Sequence, residues 1–149
     1  MRLYLDNCCF NRPFDDQSFL SIRLETEAKL EIQEKIRSNQ FSLGWSYILD
    51  FENNVNPFDD RRIEIQKWKE LADSFVSETL EILKRMEHLT SVGLKAIDAL
   101  HVACAVSLEC ENFLTVDKGI LRKKYRISEI TLTNPVNFVI DWEEGNNEK

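Results

Sequence analysis

Two short apolar runs, RLYLD at 2–6 and NFLTVD at 112–117, each end in an aspartate, and helix-length patterns fill the chain between them. A run of four or five apolar residues is too short for a helix and reads as a buried strand. FSLGW at 41–45 and ISEITLTNP at 127–135 supply two more strand candidates. Over 17–38, Phe19, Leu20, Ile22, Leu24, Ala28, Leu30, Ile32 and Ile36 recur at helical spacing, with Asp15 or Asp16 placed to cap. Ser46 opens a helix through about residue 53, and further helix patterns cover 61–73, 77–91 and 95–109. Gly93 marks the end of the third of these four, and DKGILRKKY starts a short basic helix. NPFDD at 56–60 nearly repeats RPFDD at 12–16, which reflects shared loop-to-helix chemistry rather than duplication. Strands alternating with helices predict an α/β fold: a mostly parallel central sheet with helices on both faces. Sites in such sheets form beyond the carboxyl ends of the strands. Asp6 and Asp117 both stand there.

The chain of 149 residues fits one domain, taken as 1–140, with a polar, frayed tail at 141–149. Its 43% hydrophobic and 30% charged content is that of a globular protein. No apolar run approaches the roughly 20 residues of a membrane span, and MRLYLDNCC lacks the apolar core of a signal peptide. A cytoplasmic location is predicted. Cys8, Cys9, Cys104 and Cys110 form no disulfide framework and read as reduced thiols. The net charge of −7 argues against a protein that passively coats nucleic acid, but a metal-dependent nuclease needs a concentrated acidic site.

Of the 26 acids, four have apolar neighbours. Asp6 ends RLYL, Asp117 ends FLTV, Glu52 lies in SYILDFE, and Asp98 interrupts KAIDALHVACAV. Asp50 is about 200° from Glu52 on a helix, so the two cannot serve one site. A strand-terminal Asp is often only a helix cap, and a buried helical Asp often pairs with a cation. Four such acids in one domain suggest clustered carboxylates, whose natural counter-ion is a hard divalent cation such as Mg²⁺ or Mn²⁺. Asp6, Asp98 and Asp117 are the candidate metal ligands, and with Glu52 the candidate catalytic set for phosphodiester hydrolysis. His101, one turn after Asp98, reads as a structural hydrogen-bonding residue.

These residues, in order, carry a resemblance: a strand ending in Asp6, Ser46 with Glu52 six residues on, D-A-x-H-x-A at Asp98, Ala99, His101 and Ala103, T-x-D at Thr115 and Asp117, then Asn134-Pro135. The pattern resembles the PIN domain of VapC-type toxin ribonucleases over roughly residues 1–140. The resemblance implies a three-layer α/β/α sandwich and an Mg²⁺- or Mn²⁺-dependent endoribonuclease acting through Asp6, Glu52, Asp98 and Asp117. It also implies a cognate antitoxin and a homodimer. Family members commonly have Thr or Ser directly after the first Asp; this chain has Asn7.

Arg12, Lys118 and Arg122 lie beside the proposed site and are candidates for holding RNA phosphates. Phe10, Phe14 and Trp45 suit base stacking or, more simply, core packing. Two rival readings exist: a catalytically silent PIN-like module that binds RNA or protein, and a phosphatase with Asp6 as nucleophile. The phosphatase reading is weakened because Cys8 stands where a second Asp is usual.

Overall fold

A computed structural model describes residues 1–147. Five strands form one sheet: β1 Arg2–Leu5, β2 Ser42–Ser46, β3 Ser74–Val76, β4 Asn112–Leu114 and β5 Thr131–Thr133. Their order is β3-β2-β1-β4-β5 and every pairing is parallel. The helices among the described residues are α1 Asn7–Asn11, α2 Leu20–Arg37, α3 Tyr47–Asn54, α4 Asp59–Lys69, α5 Leu80–Ser91, α6 Ala96–Ser107, α7 Lys118–Leu121 and α8 Pro135–Asn147. The chain steps outward from β1 to β3, then jumps back across the sheet to β4. Right-handed crossovers therefore put the α5–α6 pair on the face opposite α2. The predicted parallel α/β sandwich is what forms.

The reversal of direction at β1 makes the gap between β1 and β4 a topological switch point, where open α/β sheets build their sites. Tyr4 pairs Phe113 and Leu5 pairs Leu114, so both strands end level. Asp6 follows at once; Thr115–Asp117 follow β4. Parallel strands buried on both faces need continuous apolar runs. Leu3, Tyr4, Leu5, Phe113 and Leu114 are all fully buried.

Several local expectations fail. Neither Asp15 nor Asp16 caps α2; Phe19 precedes it with no side-chain bond. Asp15 instead pairs with Arg12, and Asp16 closes a turn on the Ser18 amide at 2.9 Å. Half of the predicted apolar stripe of α2 faces outward: Phe19, Leu20, Leu24 and Leu30 are exposed, while Thr26, Lys29 and Gln33 share the buried face with Ile32 and Ile36. Glu25 on α2 is bonded to Arg12. The strand β3 and the helix α8 were not foreseen. α8 carries the expected tail through Asn147, with residues 148–149 outside the described part. Its Phe138 and Trp142 pack edge-on to Phe41, with ring centroids at 5.5 and 4.8 Å. The four cysteines are free, as predicted.

Candidate active site

Asp6 caps α1 at the end of β1. Its Oδ1 accepts from the Asn7 amide at 2.8 Å, and its Oδ2 accepts from Thr115 Oγ1 at 2.8 Å and from Cys8 Sγ at 3.3 Å. Thr115 Oγ1 in turn accepts from the Asp117 amide at 3.1 Å. One buried hydroxyl therefore ties the two strand-end acids together across the switch point. Asp117 caps α7, its Oδ1 accepting from Gly119 and Ile120 amides at 2.7 and 3.3 Å. The simple helix-cap account is correct for both acids, yet each cap uses Oδ1 alone.

Asp98 lies in the first turn of α6, half-buried, with no hydrogen bond or ion pair among the described residues. Its pKa is pushed up to about 6. Burial is the largest cause, and the charges of Asp6 and Asp117 add to it; His101 and Lys95 act the other way. Residues 6, 98 and 117 thus act on one another electrostatically although long stretches of chain separate them.

Glu52 is held by a separate chain of hydrogen bonds. His101 Nε2 is hydrogen-bonded to Glu52 Oε1, and its Nδ1 lies 2.6 Å from Tyr4 OH. Tyr4 OH is also 2.6 Å from Ser46 Oγ, which accepts from the Leu49 amide and caps α3. Asp50, two residues before Glu52 and on the other face of α3, accepts from Trp45 Nε1 and Lys69 Nζ, both at 2.9 Å. The helical-wheel argument that separated Glu52 from Asp50 holds. His101 has the structural bonding role expected of it. The part played by Tyr4 was missed, because a tyrosine within RLYL reads as core. The signal was available: a buried tyrosine hydroxyl has to find a partner.

Among the described residues, none of the four acids is paired with an arginine or lysine. Their oxygens suit a hard cation, and the side-chain oxygen of Asn7, next to Asp6, is buried without a partner among the described residues. Among the described residues, no three His, Cys, Asp or Glu side chains stand close enough to hold one ion directly. The fit is therefore to an ion with few direct protein ligands, and Mg²⁺ usually keeps several waters.

The basic residues divide. Arg12 is taken up by Glu25, at 3.0 and 2.8 Å, and by Asp15 at 3.1 Å. Lys118 and Arg122 are exposed and form no ion pair among the described residues. Phe10 and Trp45 are buried and pack together at 5.2 Å; Phe14 is partly exposed under the Arg61 guanidinium.

Among solved structures, the chain is similar to one in VapBC2 from Rickettsia felis bound to a DNA fragment from their promoter, with TM-score 0.58 and 11% identity over 90% of this chain and 98% of that one. It is similar to one in FitAcB from Neisseria gonorrhoeae, with TM-score 0.59 and 14% identity over 89% and 97%. VapBC-1 from nontypeable Haemophilus influenzae gives TM-score 0.59 and 13% identity over 91% and 98%. The fold is PIN-like. At these identities the likeness is one of fold. Within the PIN-like fold, the acids are placed by this chain's own strand ends and helices. No family model and no curated protein matches the sequence.

Proposed function

We propose that this chain is an Mg²⁺- or Mn²⁺-dependent endoribonuclease, the toxin half of a toxin–antitoxin pair, acting on RNA in the cytoplasm. One observation carries the reading. Asp98 is a half-buried carboxylate with no cationic partner among the described residues, its pKa held near 6 by burial and by the charges of Asp6 and Asp117. Such an arrangement is costly unless the site receives positive charge from elsewhere. The fold supports the toxin assignment, since the similar structures are of VapBC and FitAcB. No helix among the described residues is long and apolar enough to cross a membrane.

In this reading Asp6, Asp98 and Asp117 hold the divalent ion, directly or through water. A bound ion supplies Lewis-acid stabilisation of the charge that develops on the phosphate. Glu52, with Oε1 fixed by His101, orients the attacking water and takes its proton. Thr115 keeps Asp6 in one rotamer. Lys118 and Arg122 hold phosphates beside the scissile bond. A small antitoxin is the partner, and the active form is a homodimer.

The test is cleavage of single-stranded RNA with Mg²⁺ or Mn²⁺, with and without chelator. Asp98→Asn should lower cleavage by roughly 100-fold or more, since even outer-shell changes at metal sites cost 10- to 100-fold. Unchanged activity in Asp98→Asn rejects the site. RNA binding without cleavage under either ion would favour the catalytically silent module.

A further inference from the structure

We propose that Tyr4 and His101 are positioning residues for Glu52, joined with Ser46 in one buried hydrogen-bonded relay that fixes the orientation of this acid; the inference rests on the nuclease reading above. Tyr4 and Ser46 are fully buried and His101 is 1% exposed, so water does not supply their hydrogen bonds. Every proton in the chain can run in one direction. Ser46 O–H donates to Tyr4 OH, Tyr4 O–H donates to His101 Nδ1, and His101 Nε2–H donates to Glu52 Oε1. Ser46 Oγ still accepts from the Leu49 amide at 3.3 Å. The reverse direction would leave an unprotonated Nε2 facing an ionised carboxylate.

The relay joins the segments that carry three of the four acids. Tyr4 precedes Asp6 by two residues on β1. Ser46 opens α3, which carries Glu52. His101 follows Asp98 by three residues on α6. Buried carboxylate–histidine pairs fix a ring's tautomer and both partners' orientations. Here the histidine is the fixed element, because Tyr4 holds its far nitrogen. Glu52 is left with Oε2 free of hydrogen bonds among the described residues, as a base for water requires.

Three measurements test this. ¹⁵N NMR of the metal-free wild type should show His101 with its proton on Nε2 and a bare, hydrogen-bond-accepting Nδ1, and Tyr4→Phe should disturb that signal. Tyr4→Phe keeps the ring that stacks on Phe113 at 5.3 Å and removes only the hydroxyl. It should lower kcat about tenfold with KM little changed, at temperatures well below its Tm. His101→Gln, which returns an N–H donor near the Nε2 position, should recover part of the activity lost in His101→Ala. A wild-type His101 carrying its proton on Nδ1 overturns the relay. So do Tyr4→Phe and His101→Ala variants with wild-type kcat when Glu52→Gln is inactive. If Glu52→Gln itself keeps full activity, the nuclease assignment of Glu52 fails, and the NMR result alone decides whether the relay exists.

Discussion

At the scale of single residues, Asp98 makes the clearest claim on solution behaviour. Its folded pKa of about 6 lies above the free value of 3.8. The folded state therefore binds this proton more tightly, and the metal-free protein loses stability as pH rises from about 4 to about 6. Asp98→Asn removes that loss. Its Tm advantage over the metal-free wild type should be absent at pH 4, grow through pH 6 and level off by pH 7. A thermal-shift series with chelator measures it, and equal Tm values at pH 7 would contradict the shift. Adding Mg²⁺ should raise the Tm of wild type far more than that of the variant. Asp98 was legible in the sequence because a carboxylate in AIDALHVACAV has no local reason to exist. Thr115 was legible only as the first member of the T-x-D pattern, not for its bond, and Tyr4 was not legible at all, because a tyrosine in a strand-like run looks like ordinary core. Their hydroxyls gain meaning only from neighbours about a hundred residues away: Asp6 for Thr115, His101 for Tyr4.

At the scale of elements, the turn between α5 and α6 sets where Asp98 begins its helix. Gly93 has φ +113°, in the left-handed region, and a Cβ there would meet Lys123 at 3.2 Å. Lys123 Nζ also bonds to the Gly93 carbonyl. Gly93→Ala should cost about 1–3 kcal/mol, the usual range for a forced backbone region, read as a Tm several degrees lower. Gly145→Ala in α8 is the control. A Cβ there meets nothing within 4 Å among the described residues, and helical Gly→Ala gains about 0.5–1 kcal/mol. The helix α5 was legible because one hydrophobic period runs its whole length, and α6 because its apolar run is too long for a strand. The strand β3 has three residues, too few for any period to show. α8 begins at a proline and ends in EEGNN, so composition read its second half as tail. Burial of Phe138 and Trp142 against Phe41 overrides that composition.

At the scale of the whole molecule, a chain of net charge −7 that acts on RNA as proposed has to hold it through a few local cations. Lys118 and Arg122 are exposed and unpaired among the described residues, whereas Arg12 is held by two acids. Replacing Lys118 and Arg122 by Ala should raise KM for RNA. It should also reduce the slope of log affinity against log salt by about 1 per residue removed. Arg12→Ala should leave that slope alone and lower Tm, because Glu25, 14% exposed, loses its partner. Titrations at several salt concentrations separate the two. By itself the sequence determined the alternation of strands and helices, the parallel sheet and the four acids out of place among apolar neighbours, since periodicity and the cost of a lone charge are local properties. The tertiary structure decided that β1 and β4 lie side by side, that Thr115 bridges Asp6 and Asp117, that Tyr4 and His101 hold Glu52, and that Arg12 is already occupied. Each of those is a contact between groups distant in the chain, and a distance in space is created only when the sheet closes.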